Sequence, residues 1–398
     1  MRKAAGLDAK KNTNVRVKMA KKIERISLGS MSPGTERHLL VHRYGKSGAR
    51  PKAYLQASIH ADEIPAMMAA HHLIRLLDEA EKRGEITGEI VVVPVANPIG
   101  LAQNVAGTHI GRSELRGGGN FNRNWPDMFD GLTEAVESKL GSDADRNVAV
   151  IREAMGRRLA NMRAETEFSK LRLELYRLAF DADIILDMHC DDEALMHIYT
   201  TNDYWPGATD LAAETGSRAV FLATDSGGQS FEEQIYLAFH KMRVQFGEKF
   251  PIPIAVLTST IEFRGQFDVF DDLGAHDGKA LYRFLQRRGL VAGDPGPLPP
   301  LLCEGTPLDG ADYMRAPKAG MLAYHVKLGD MVRKGDLIAE IIDPLAEDQS
   351  KARTEMRSIA DGLIVSRCSK KLVAPGEGIT MIAGKESLSH RKGPLLSD

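Results

Sequence analysis

The stretch "SIHADEIP" at residues 58 to 65 places His60 and Glu63 three positions apart, between a strand-like run, "KAYLQAS", and a helix-like run, "AMMAAHHLIRLLDEAEKRG". Imidazole nitrogen and carboxylate oxygen are ordinary zinc ligands. In open α/β sheets, ligand sites gather beyond the carboxyl ends of strands, where a turn can aim two such side chains at one point. His189, at the end of "ADIILDMHC", is placed to supply a third ligand. Two imidazoles and one carboxylate make a catalytic zinc set with its fourth position open to water. Cys190 points to the other side of the same strand. Asp187 shares a face with His189 and fits two roles, orienting the imidazole or serving as a buried structural carboxylate.

A water held by such a site needs a proton acceptor. Glu262, ending the apolar run in "TSTIEFRGQ", would suit a general base and acid at the same rim, although a solvated strand end reads the same way. An oxyanion formed at an attacked carbonyl also needs a cationic partner. The stretch "GRSELRGGGNFNRNWPD" offers Arg112, Arg116, Asn122 and Arg123. Arginine grips carboxylates with two parallel hydrogen bonds, so an Asn-Arg pair beside a metal suggests a substrate carrying a free carboxylate. A solvated basic loop is the plainer alternative.

These residues must be positioned by an α/β plan. "RHLLVHRYG" and "KAYLQASIH" read as strands, residues 66 to 83 carry helical periodicity, and "GEIVVVPVANP" is a short buried strand. Residues 99 to 131 have no clean period and are long for a structureless connection, which marks them as functional or disordered. Residues 133 to 180 read as charged helices, "ADIILDMHC" as a buried strand, "IPIAVLTSTIEFRG" as one long strand or a pair, and "GAHDGKALYRFLQRRGLV" as a closing helix. The expected fold class is a mixed sheet between helices, followed by a small all-β barrel-like domain. The expected divisions are an N-terminal extension and edge strand over 1–35, a catalytic domain over 36–290, a Pro/Gly-rich linker over 291–312, the β domain over 313–385 and a tail over 386–398.

Bulk properties narrow the partners. The chain has 398 residues, 43% hydrophobic and 27% charged, with a formal net charge of -2. That balance gives no electrostatic reason to expect nucleic acid or an anionic membrane. No apolar run approaches the ~18 residues of a membrane span. The basic N-terminus lacks the apolar segment of a secretory signal and reads as a disordered start before an edge strand. Three scattered cysteines fit a reducing cytoplasm. A homo-oligomer is compatible with the sequence, which does not specify one.

Taken in order, "HADE", "NFNR", "DMHC" and "IEFRG" resemble the succinylglutamate desuccinylase/aspartoacylase family, within the wider zinc carboxypeptidase (M14) superfamily. The resemblance covers about residues 35 to 290. It implies a carboxypeptidase-like fold and one zinc ion per chain held by His60, Glu63 and His189. It implies Glu262 as the group that activates water and then protonates the leaving amine, with Asn122 and Arg123 holding the substrate carboxylate. An arginine upstream of the Asn-Arg pair polarises the scissile carbonyl in this family. Arg112 and Arg116 compete for that role, with Arg112 favoured because Arg116 is nearer the Gly117-Gly118-Gly119 turn. Ala61 replaces a glycine common in the first motif, which is tolerable only without positive φ there. The superfamily's peptidases also use a tyrosine, for which Tyr199, Tyr204 and Tyr236 are candidates.

The C-terminal stretch "APKAGMLAYHVKLGDMVRKGDLIAEI" resembles the half-barrel of biotinyl/lipoyl domains, and a second stretch, "ADGLIVSRCSKKLVAPGEG", echoes it. The stretch corresponding to the carrier hairpin holds Lys351 without a Met-Lys-Met pattern, so carrier function is not implied. A cap or wall over the active site is expected instead. The leading functional reading is a zinc-dependent amidohydrolase acting on a small carboxylate-bearing amide such as an N-acyl amino acid. The alternatives are a carboxypeptidase and a non-catalytic metal or carboxylate binder on the same scaffold.

Overall fold

The computed structural model describes residues 21–396, so the N-terminal extension before residue 21 lies outside the described residues. Nine strands form one mixed sheet: β1 (Lys22–Ser27), β2 (His38–Tyr44), β3 (Lys52–Ala57), β4 (Glu89–Val93), β5 (Ile184–Asp191), β6 (His197–Thr200), β7 (Ala219–Leu222), β8 (Leu257–Gly265) and β9 (Gly305–Pro307). Their spatial order is β1-β2-β4-β3-β5-β8-β6-β7-β9. The centre, β4-β3-β5-β8, is parallel. β1, β2 and β6 run antiparallel to their inner neighbours.

The central strands are buried on both faces, as parallel sheets sandwiched by helices must be. Alternate side chains feed two separate cores. Tyr54, Val91 and Ile185 pack with helices α2 (Ala144–Asn161), α3 (Glu167–Ala179) and α4 (Phe231–Phe246). Ala53, Leu55, Val92 and Leu186 pack on the opposite face with α1 (Ile64–Arg83) and α5 (Asp271–Arg287). α1 starts with Pro65 in its first turn and stops at Gly84, whose φ of 70° closes a left-handed cap. Gly278 of α5 lies so near α1 that an added Cβ would sit 2.8 Å from the Leu73 backbone nitrogen. The charged run from 133 to 180 forms α2 and α3 after a short helix at Leu132–Val136, and "IPIAVLTSTIEFRG" yields the single strand β8.

The stretch after α5 has no helix or strand until β9, which lies inside the segment expected to be a linker and extends the large sheet at its edge. The chain then builds two smaller sheets. One contains Ala311–Arg315, Gly362–Arg367 and Gly378–Gly384; the other contains Gly320–Tyr324, Leu337–Ile342 and Arg353–Arg357. Leu322, Ile338, Ile341, Ile364, Ile379 and Ile382 fill the space between them. The part of the chain that builds the large sheet adds its own segment, Glu193–Ala194, to the first of these sheets by pairing with Arg367 and Ser366. Lys351 is exposed in a short 3-10 turn, with its ammonium 3.2 Å from Asp348. Among the described residues, no helix is long and apolar enough to cross a membrane.

Candidate active site

β3 ends at Ala57, and the chain turns at once toward α1. The residue that takes positive φ in this turn is Ser58 (58°), not Ala61, so alanine meets no backbone penalty at the position where glycine is common. Ser58 Oγ donates to the Glu63 carbonyl at 2.7 Å and its N–H donates to Met188 O at 3.1 Å, fastening the turn to β5. Gly111 brings the next loop against it: Ala61 N–H donates to Gly111 O at 3.1 Å, and a Cβ at Gly111 would lie 2.2 Å from the Asp62 nitrogen.

This turn and the end of β5 bring His60, Glu63 and His189 together, all buried, with one donor atom from each within 4.8 Å of the others. His60 Nδ1 lies 2.8 Å from Glu63 Oε1, and His189 Nδ1 lies 2.6 Å from Glu63 Oε2. The outer nitrogens have their own acceptors. His60 Nε2 is 2.9 Å from Asn120 Oδ1, and His189 Nε2 is 3.0 Å from Asp187 Oδ2. Asp187 is itself held by Gln56 Nε2 at 2.9 Å and Asn122 Nδ2 at 3.1 Å. With a cation held at the two Nδ1 atoms, the proton of each neutral ring would sit on Nε2, toward Asn120 and Asp187. This donor set fits a divalent cation such as zinc. Burial pushes the Glu63 carboxyl up, but the charges of His60 and His189 outweigh it and hold the group far below the usual range. His189 is raised because Asp187 and Glu63 together overcome the effect of burial.

Glu262 stands opposite His189 in the parallel register of β8 and β5. A bulge follows it, where Arg264 takes φ 60° and pairs with Asp277 of α5. Glu262 lines the same cavity as the His60-Glu63-His189 cluster, and its Oε2 is buried without a hydrogen-bond partner. Burial, then the charges of Glu63 and Asp191, push its carboxyl up to about 8 against the pull of His189 and Arg112.

The glycine-rich stretch forms a two-stranded hairpin, Ser113–Glu114 with Gly119–Asn120. Arg112 lies at its base with Nη1 3.2 Å from His60 Nδ1 and 3.4 Å from Glu63 Oε1. Arg116 sits exposed near the tip and does not line the cavity. Buried Phe121 packs on Phe168, and this anchor places Asn122 and Arg123 on the cavity wall. Asn122 Oδ1 accepts the Phe231 N–H at 3.0 Å, tying it to the start of α4. Of the three tyrosine candidates, Tyr199 lines the cavity, whereas Tyr204 donates to Ile254 O and Tyr236 to Asp203. Tyr313 from the C-terminal part also lines it.

The cavity encloses about 230 Å³ and is walled on one side by C-terminal residues including Tyr313, Arg315, Met381, Arg391 and Leu396. No motif announces these side chains. They reach the site through a small apolar seam of Phe221, Leu308, Ala311, Val365 and Met381. The acidic residues Glu232 and Glu233, at the start of α4, also line the cavity and carry no motif.

The chain matches the family model described as the succinylglutamate desuccinylase/aspartoacylase catalytic domain over residues 49–269. It is 24% identical over 352 residues to an N-alpha-acetyl-L-2,4-diaminobutyric acid deacetylase from Halomonas elongata, covering 85% of this chain and 83% of the relative. Its fold is similar to the crystal structure of a succinylglutamate desuccinylase/aspartoacylase family protein from Shewanella amazonensis, with TM-score 0.81, 23% identity, and coverage of 92% of this chain and 99% of that one. It is also similar to the product-bound ectoine utilization protein EutE (DoeB) from Ruegeria pomeroyi, with TM-score 0.63, 17% identity, and coverage of 92% and 95%.

Proposed function

The chain belongs to the succinylglutamate desuccinylase/aspartoacylase family, and from that membership and the site geometry we propose that it is a zinc-dependent hydrolase of small N-acyl amino acids. The Halomonas relative's name gives an acetylated amino acid as its substrate, and this chain is read as acting on the same broad class. His60, Glu63 and His189 would hold the cation. When bound, zinc supplies Lewis acidity toward the carbonyl and lowers the pKa of water at its open position.

The remaining roles fall to side chains of this chain. Asn122 and Arg123 hold the substrate carboxylate, which fixes the scissile amide beside Glu262. Glu262 accepts the proton of the attacking water and returns it to the leaving nitrogen, so that hydrolysis yields a carboxylate and an amine. Arg112, next to His60 and Glu63, stabilises negative charge developing on the carbonyl oxygen.

The observation that carries this reading is Glu262 itself. Its buried, unpartnered oxygen opens onto the same cavity as the His-Glu-His cluster, a position of no use to a protein that only binds metal. The C-terminal wall favours small substrates over peptide C-termini, since it closes the side that a longer chain would have to cross. The test compares N-acyl amino acids with blocked dipeptides on wild type and Glu262→Gln, with metal content measured on both. Turnover of the acyl amino acids alone, lost in the variant while metal stays bound, is the expected result. Intact turnover in Glu262→Gln, or preference for dipeptides, would overturn the reading.

A further inference from the structure

α3 carries Phe168, Arg172 and Tyr176 at four-residue spacing, which puts them on one face of the helix. All three meet the segment that follows the glycine-rich hairpin. Phe168 packs on Phe121 with ring centroids 5.3 Å apart. Arg172 Nη2 donates to Arg123 O at 3.1 Å, and Tyr176 Oη donates to Pro126 O at 2.9 Å. Between these contacts the chain turns through Asn124, whose φ is 54°. One helix face thus grips the run containing Asn122 and Arg123 at both ends and in the middle.

Arg172 is a costly residue to place there. Its guanidinium carbon lies 4.6 Å from the Trp125 ring centroid and 5.2 Å from that of Phe168. Its Nε is buried with no hydrogen-bond partner, and it makes no ion pair among the described residues. Burial pushes the guanidinium down to about 10, so it stays charged at neutral pH. Holding a charge in such surroundings without a carboxylate opposes folding, and an apolar side chain would fill the gap between the two rings more cheaply. What arginine adds is a planar cation that stacks on aromatic faces while aiming an N–H in a fixed direction. Here that direction is the carbonyl of Arg123.

The neighbouring positions have their own fastenings. Asn122 Oδ1 accepts the Phe231 N–H at 3.0 Å, and the Trp125 N–H donates to Gln229 O at 3.0 Å. The Arg123 carbonyl between them is held by Arg172. We propose that Arg172 is a positioning residue: by fixing the Arg123 carbonyl beside two aromatic rings, it sets the direction of the Arg123 side chain and with it the affinity for a substrate carboxylate. This inference rests on the reading of Asn122 and Arg123 as the carboxylate anchor, and its test separates the two.

The probe is the N-acetyl-L-amino acid that the zinc-loaded wild type prefers in a panel, used beside its carboxamide, which lacks the carboxylate. In Arg172→Met, KM for the acid is expected to rise about 10- to 100-fold, the effect of loosening a positioned charge-assisted contact. The kcat should change less than about threefold, as for a loss of uniform binding. KM for the carboxamide should stay within about threefold, which a general loss of structure would not allow. Arg172→Lys keeps the charge without the planar fork, so it should fall between wild type and Arg172→Met, and it serves where the methionine variant does not fold. In an Arg123→Ala background the Arg172 substitution should add less than about threefold, since coupled residues are not additive. A second arm measures calorimetric binding of the same two compounds in a Glu262→Gln background, which needs no turnover.

If no acylated amino acid is hydrolysed, the hydrolase reading fails and the binding arm alone decides. If Arg123→Ala leaves binding of the acid unchanged, or no member of the panel binds, the anchor reading falls and this inference with it. If Arg123→Ala weakens the acid while Arg172→Met and Arg172→Lys do not, this inference alone is overturned. Equal weakening of acid and carboxamide, or an undiminished Arg172 effect in Arg123→Ala, would overturn it as well.

Discussion

Asp187 Oδ2 lies 3.0 Å from His189 Nε2, on the opposite side of the ring from Glu63. The carboxylate fixes both the tautomer and the direction of the imidazole. Such outer partners are typically worth about 10- to 100-fold in metal affinity. Asp187→Asn is therefore expected to weaken zinc binding by about that factor while the chain still folds. Competition against a chromophoric chelator, with circular dichroism as the folding control, measures both.

Glu262 is the group assigned to proton transfer. Glu262→Gln keeps the size of the side chain and removes its basicity. The expected loss in kcat is about 10²- to 10⁴-fold, the usual contribution of a positioned acid and base. Metal content should remain near one ion per chain by elemental analysis. Loss of metal along with activity would point instead to a structural role.

Arg112 and Arg116 can be separated directly. Arg112 touches His60 and Glu63, whereas Arg116 is exposed near the hairpin tip. Arg112→Ala is expected to lower kcat by about 10²-fold or more, as removal of an oxyanion partner does. Arg116→Ala should change kcat/KM less than about threefold, the effect of a surface substitution away from the site. Steady-state kinetics on one N-acyl amino acid decides between them.

Chelation should abolish turnover, and stoichiometric zinc should restore it. Because a cation that binds only the folded chain stabilises it, the melting temperature should also fall on chelation and recover on repletion. Differential scanning calorimetry in both states checks this without reference to activity.

Asp183 supports the sheet rather than the site. It accepts the Lys52 N–H at 2.6 Å and Arg152 Nη2 at 2.8 Å, linking β3, β5 and α2. Burial pushes its carboxyl up, but these bonds and the charges of Arg152 and Arg50 bring it below its ordinary 3.8. A lowered folded-state pKa means that the unfolded chain takes up the proton first as pH falls. The stabilisation is thus complete well above pH 3.8 and is lost as pH drops through the folded-state value. Asp183→Asn should cost about 1.5–3 kcal/mol at pH 7. The gap from wild type in urea unfolding should narrow near pH 3.

The helix and strand sequence of the catalytic part is legible because its periods are strong: β5 is apolar on both faces and α1 shows a clear 3.6-residue repeat. His60 and Glu63 can be read as a pair because three residues span one tight turn. His189 can be read with them because parallel strands deliver their carboxyl ends to one edge. Other features depend on contacts with no local signature. Nothing in "DDEALMH" indicates that Glu193–Ala194 joins a sheet built from residues beyond 310, and β9 is hidden in a Pro/Gly-rich stretch. The choice between Arg112 and Arg116 turns on where a hairpin bends, which the glycines permit without specifying. Glu232 carries no motif because its place on the cavity wall is a property of three-dimensional surroundings.

The pairing of Glu193–Ala194 with Gly362–Arg367 has a consequence for how this chain can be divided. A version ending near residue 290 would keep all four residues of the proposed metal and proton-transfer machinery, yet the segment four positions past His189 would lose its neighbours. The part of the chain after residue 290 is thus tied by backbone pairing to the strand end that carries His189, and is not expected to be a detachable accessory. Shuffling or trimming of the molecule should preserve that seam intact.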